Sequence, residues 1–115
     1  MGRIEEHYER GLALKQDGRY EEAEAEFRAV IELDAEHAEA HRQLGLVFGF
    51  TGMFDEAIEE LLAAVRFDAC NLGARNDLAL TYCMLGMSEE AKAEFETVLS
   101  ADPDNEVAKK NMVYF

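Results

Sequence analysis

One proline, two cysteines and no tryptophan occur in 115 residues, and lysine plus arginine reach only 11 against 25 aspartates and glutamates. Each shortage excludes something. The rarity of proline and of Val-Ile-Thr clusters, set against abundant Ala, Glu and Leu, favours helix over strand. Cys70 and Cys83 form no CxxC pair. If a helix runs between them, ~12 residues at ~1.5 Å each hold them too far apart for the ~7 Å Cα separation of a disulfide. Two free thiols fit a reducing compartment. No run approaches the ~18 apolar residues of a membrane span. The opening MGRIEEHYERG has neither the apolar core of a secretory signal nor a Ser or Thr at residue 6 for myristoylation. A cytoplasmic protein with no membrane insertion is expected. The net charge of −14 makes nucleic acid a poor partner, because that surface demands basic groups that displace counterions. Acidity of this size is read first as solubility. With 49% apolar residues, disorder is not expected.

What the sequence does contain, it contains three times. GRYEEAEAEF begins at Gly18, GMFDEAIEEL at Gly52 and GMSEEAKAEF at Gly86, a strict interval of 34 residues. After each glycine the apolar residues follow one helical face: Tyr20, Ala23, Phe27, Val30 and Ile31; Phe54, Ala57, Leu61, Ala64 and Val65; Ala91, Phe95, Val98 and Leu99. Before each glycine a shorter pattern (Leu12 and Leu14; Leu44, Val47 and Phe48; Leu78, Tyr82 and Leu85) predicts another helix. The glycine ends that first helix in the left-handed conformation. The acids that follow it, Glu21-Glu22, Asp55-Glu56 and Glu89-Glu90, suit the positive end of the next helix dipole. Each second helix stops at an Asp joint, at Asp34, Asp68 and Asp102. Small residues recur at Gly11, Gly45 and Ala79 and at Ala23, Ala57 and Ala91, where paired helices would approach closely. One such pair cannot bury its own apolar face, and about three stacked units are needed.

These residues resemble the tetratricopeptide repeat (TPR) family: a small residue at repeat position 8, Gly at 15, an aromatic at 17, Ala at 20 and an aromatic at 24. With Gly18, Gly52 and Gly86 at position 15, the repeats fall at 4–37, 38–71 and 72–105. The resemblance implies an all-α fold: a right-handed α-α superhelix of three helix-turn-helix repeats, one domain over 1–115. Departures are His7, His41 and Arg75 at position 4, often Trp in the family, and Ser88 at position 17. They are expected to weaken packing slightly. Residues 106–115 continue the register as a capping or truncated helix. Their end, Met-Val-Tyr-Phe, suggests either a chain cut from a longer protein or an edge covered by a partner or by a second copy in a homo-oligomer.

Chemistry-bearing motifs are sparse. His37 and His41 in HAEAH have metal-ligand spacing, but no third ligand is evident and the Glu of the zinc-protease pattern is replaced by Ala38. They are read as surface or packing residues, and no metal, cofactor or enzymatic activity is expected. What the resemblance implies instead is a concave surface lined by first helices. In the first repeat it carries over to Glu5, Tyr8, Leu12, Lys15 and Gln16; in the second to Glu39, Arg42, Leu46, Gly49 and Phe50; in the third to Gly73, Asn76, Leu80, Cys83 and Met84. Tyr8, Leu12, Lys15, Arg42, Leu46, Phe50, Asn76, Leu80, Cys83 and Met84 are the expected partner-binding residues. The implied function is that of an adaptor or scaffold holding a protein or peptide ligand by apolar anchors. The alternative is a scaffold that assembles through its terminal edges. The family's clamp for acidic chaperone tails wants Lys and Asn where this chain has Tyr8 and Leu12, so that ligand is disfavoured.

Overall fold

A computed structural model describes residues 2–115 and consists, among them, of seven helices. They are α1 (Arg3–Gln16), α2 (Tyr20–Leu33), α3 (Ala38–Phe50), α4 (Phe54–Phe67), α5 (Leu72–Met84), α6 (Ser88–Ala101) and α7 (Glu106–Met112). Each odd-numbered helix up to α5 packs on the next as an antiparallel pair, and successive pairs stack into a superhelix. The result is a slab of 41 × 26 × 20 Å, in which each pair touches only its neighbours.

Two kinds of joint alternate, and the sequence dictates both. Inside a pair, Gly18, Gly52 and Gly86 have φ of 78°, 80° and 75°. The residue after each glycine donates its N–H back across the turn: Arg19 to the Leu14 carbonyl, Met53 to Phe48 and Met87 to Tyr82, at 2.8–2.9 Å. These close the carbonyls orphaned at the end of the first helix. Between pairs, the Asp34, Asp68 and Asp102 carboxylates accept the backbone N–H two residues on. The next helix is then capped by a side chain: His37 accepts from Ala40 N, Asn71 from Ala74 N and Asn105 from Ala108 N. Each of these caps satisfies one otherwise unpaired N–H of the new helix.

The core has one cluster around Phe27, Leu44 and Val47 and a second around Phe95, Val98 and Ala108. Phe27, Leu61 and Phe95, 34 residues apart in successive pairs, are at most 1% exposed, as are Val30, Leu44, Val47, Leu78 and Val98. The small residues have the expected purpose. A Cβ on Gly11 would meet the Phe27 ring at 2.6 Å, and one on Gly45 would meet Leu61 Cγ at 2.8 Å. The missing side chains are what let α1 and α3 lie close on α2 and α4.

The position expected to weaken packing, occupied by His7, His41 and Arg75, does something else. Each of these side chains reaches the glutamate nineteen residues on, across its own helix pair. His7 Nδ1 lies 2.6 Å from Glu26, His41 Nδ1 2.7 Å from Glu60, and Arg75 donates to Glu94 at 3.1 Å. The expectation of weakened packing is therefore corrected: the polar residues are matched with a partner in every pair. The hydrogen bond from His7 holds the Glu26 carboxyl below the usual carboxylate range, with burial acting against it.

Candidate functional site

Three first helices, α1, α3 and α5, line one side of the stack, and their exposed positions make a groove. Its apolar part lies between α3 and α5. Gly45, Leu46, Gly49, Phe50, Phe54, Leu80, Thr81 and Met84 enclose a cavity of about 270 Å³, with Asp77 the one charged residue on its wall. A Cβ on Gly49 would meet nothing within 4 Å, so its missing side chain leaves the space open. Phe50 and Met84, at the C-terminal ends of α3 and α5, are 61% and 67% exposed. Phe50 is held by stacking on Tyr20, with ring centroids 5.4 Å apart at 23°. Large apolar side chains left in water in such a cluster commonly mark a contact surface.

The N-terminal half of the groove is polar and cross-linked. Tyr8 donates to Glu39 at 3.5 Å, and Asn71 donates to the other Glu39 oxygen at 2.8 Å. Arg42 Nε donates to Asp77 Oδ2 at 2.7 Å, with Glu39 a further 3.7 Å contact. Lys15 donates to the amide oxygen of Gln43. These bonds join α1 to α3 and α3 to α5, so they set how the pairs stack as well as what the groove presents. Burial pushes the Asp77 carboxyl above its ordinary range, only partly offset by the Arg42 guanidinium. Burial, then Arg42, lowers the Lys15 ammonium; burial, then Glu39, raises the Tyr8 phenol.

The expected residues do not all share one surface. Leu46, Phe50, Leu80 and Met84 converge on the apolar cavity. Tyr8, Lys15 and Arg42 belong to the polar half, and Leu12 lies half-buried against the core cluster of Phe27, Leu44 and Val47. Cys83 is exposed near the end of α5 but does not line the cavity, and Cys70 is likewise exposed. Asn76 is a correction. It is 6% exposed, because α7 docks over it and its amide donates to Asn105 at 3.1 Å. A residue covered by the chain's own last helix offers no surface to a partner. Two residues that the pattern did not single out complete the polar half: Asp77 pairs with Arg42, and the Gln43 amide oxygen accepts from Lys15. Both sit one position after an expected residue, where the stacking turns a first helix slightly further inward.

The histidine pair is engaged elsewhere. His37 Nδ1 caps α3, while His41 is enclosed between Glu60 and the Ala35 carbonyl at 2.8 Å. Among the described residues, no group of three or more His, Cys, Asp or Glu side chains is placed to hold a metal ion. No helix among them is long and apolar enough to cross a membrane.

Comparison with known proteins follows the same lines. A tetratricopeptide repeat profile matches residues 8–73, more than half of the chain, and a second one matches residues 72–105. Among solved structures, the first TPR of Spaghetti (RPAP3), bound to the HSP90 peptide SRMEEVD, superposes with a TM-score of 0.92 at 21% identity, covering 96% of this chain and 88% of that one. The second TPR domain of human RPAP3, in complex with the HSP70 peptide SGPTIEEVD, gives 0.88 at 25% identity, covering 94% and 90%. YrrB, a TPR protein with an unusual peptide-binding site, gives 0.88 at 23% identity, covering 97% of this chain and 58% of that one. No curated protein gives a significant match.

Proposed function

This chain belongs to the tetratricopeptide repeat family, and we propose that it receives a peptide or helix of a partner protein in its concave groove, as an adaptor or scaffold. The family is a protein-interaction module and not an enzyme fold. The reading takes residues 4–37, 38–71 and 72–105 as its three repeats and residues 106–115 as their cap. The observation that carries it is the apolar cavity between α3 and α5, whose Phe50 and Met84 walls are left mostly in water. A large apolar side chain entering it would displace water from Leu46, Leu80 and both of those walls, and alternating side chains of such a ligand could grip by pockets of this kind. Relatives of known structure hold acidic peptides ending in EEVD. This groove is built differently, with Tyr8 and Leu12 at the clamp positions and Glu39 and Asp77 facing in. Neither EEVD peptide is expected to bind.

Two substitutions test the reading. Leu46→Glu places a charge in the cavity and Phe50→Ala removes a wall, and both are expected to abolish partner capture while the far-UV circular dichroism stays unchanged. Partner binding at parental affinity by both variants would overturn it.

A second reading, self-assembly through the C-terminal edge, draws support from Val113 and Tyr114, which are 77% and 80% exposed beside α7. The double variant Val113→Ser/Tyr114→Ser is then expected to convert an oligomer to a monomer in analytical ultracentrifugation. A parental chain whose mass stays that of one copy over a hundredfold concentration range removes this reading.

A further inference from the structure

The two halves of the groove differ in charge, and the difference specifies a ligand. We infer that the occupant is a segment of a partner protein carrying a lysine or arginine and, about four to six residues away, one large apolar side chain. This rests on the groove reading above and adds the partner's chemistry to it.

The apolar anchor belongs in the cavity between α3 and α5. The cationic one belongs at the other end, where a second cavity of about 240 Å³ opens between the N-terminal half of α1 and the start of α3. Its walls are Ile4, Glu5, Tyr8, Glu9, His37 and Glu39. The Tyr8 and His37 rings stand 5.5 Å apart, tilted by 38°. Glu5 and Glu9 are exposed, four residues apart on one face of α1, and neither joins an ion pair among the described residues. Like charges at that spacing repel until a cation arrives. Glu39 is within 3.7 Å of Arg42, but Arg42 is committed at 2.7 Å to Asp77. The cavity thus has three carboxylates, an aromatic wall and no cation lining it. A lysine or arginine side chain suits it in each part: an aliphatic stem for Ile4, a cation for the ring face of Tyr8, and a charge for Glu5 and Glu9.

Between the two cavities the charges are already matched. Arg42 is paired with Asp77 at 2.7 Å and lies 3.7 Å from Glu39, and Lys15 donates to the neighbouring Gln43 amide. An acidic segment therefore meets uncompensated carboxylates at one end and apolar walls at the other. The net charge of −14 adds a long-range preference of the same sign, which speeds encounter with basic partners.

The spacing follows from helix geometry. From Glu39 to Leu46 and Phe50 is seven to eleven residues of α3, which at ~1.5 Å each is ~10–16 Å along the axis. Shifting from the α1–α3 space to the α3–α5 space adds ~10 Å sideways, one interhelical distance. The diagonal is ~14–19 Å, which about four to six residues of extended chain span at ~3.3 Å each.

The test is a random dodecapeptide library displayed on phage and selected at low salt against the immobilised full chain. Enriched peptides are then labelled with fluorescein and titrated by anisotropy. Enriched sequences are expected to carry Lys or Arg four to six residues from Leu, Ile, Phe or Met. Their affinity is expected to fall about tenfold in the Glu5→Gln/Glu9→Gln variant, and to fall with added NaCl less steeply in that variant than in the parent. If the enriched peptides lose binding in Leu46→Glu yet lack a basic residue, or ignore the glutamine pair, the cationic anchor is wrong and the groove stands. A selection that yields no peptide sensitive to Leu46→Glu overturns both.

Discussion

Phe27→Ala is expected to lower the stability of the folded chain by about 3–5 kcal/mol, the range for truncating a fully buried aromatic. The ring is 0% exposed and lies at the centre of a cluster with Ala23, Leu44, Val47, Phe48 and Ala57. Tyr8 meets it edge-on, with centroids 5.9 Å apart. Its edge fills the space over Gly11, where a Cβ would stand only 2.6 Å from Cε1. With no side chain at Gly11 to collapse inward, the cavity left by alanine has little to fill it, which puts the cost at the high end. The loss is large against the ~5–15 kcal/mol that holds a small domain folded. Phe27→Leu is the control. Leucine occupies the matching place in the second pair, where Leu61 is 1% exposed against Gly45, so a cost of about 1–1.5 kcal/mol is expected. Urea titration followed by circular dichroism measures both, and equal midpoints for alanine and leucine would show that this ring does not hold α1, α2 and α3 together.

That ring is legible in the sequence alone, because it sits in a spacing repeated three times. The 34-residue interval marked the glycines that take positive φ and the Asp residues that end each second helix. Local chemistry and tertiary contact agree at those positions, so sequence reasoning reaches them. The ladder of His7–Glu26, His41–Glu60 and Arg75–Glu94 was equally periodic. The family pattern sets each first member against a tryptophan, which hides a partner nineteen residues on in the other helix of the pair. The N-caps were partly visible as well: Asn71 and Asn105 are 34 residues apart and His37 completes the series.

The groove was less legible, and the reason is geometric. Helical periodicity says which face of a helix is turned from the core, but not how far the next pair rotates over it. Tyr8, Arg42 and Asn76 occupy equivalent places, yet Tyr8 and Arg42 are half-buried in the polar half of the groove whereas Asn76 is sealed under α7. The same rotation brings Gln43 and Asp77 inward to meet Lys15 and Arg42. Charge pairing between residues 35 apart, as for Arg42 and Asp77, leaves no mark in a 34-residue repeat unless it recurs, and this one does not. The apolar cavity was the more visible half, since Leu46 and Leu80 keep the repeat interval and Phe50 and Met84 keep it too.

Arg42→Met follows from that pairing, with an expected loss of about 2–4 kcal/mol at neutral pH, below the full cost of breaking a buried pair because water still reaches the site. The two side chains are 27% and 17% exposed, and the guanidinium crosses to α5 directly over Gly73, where a Cβ would stand 2.8 Å from it. Methionine keeps most of the stem and its packing but strands the Asp77 carboxylate, which burial already pushes up and which Arg42 alone hydrogen-bonds. In the variant the folded chain therefore holds a proton on Asp77 more tightly than the unfolded chain does. The folded state then binds more protons, so stability falls as pH rises through the folded value of Asp77 and is regained on acidification. Subtracting the parent removes the relief of general charge repulsion that acid brings to any chain this acidic. The parent-minus-variant difference should thus shrink steadily from pH 7 towards pH 4 in urea titrations. Adding Asp77→Leu to Arg42→Met removes the stranded charge and should recover most of the loss at pH 7, because two apolar groups replace a pair whose desolvation was itself costly. A gap between parent and Arg42→Met that stays constant with pH, or a double variant no more stable than the single one, would mean that Asp77 is solvated well enough to do without its arginine and that the α3–α5 junction is held by apolar packing alone.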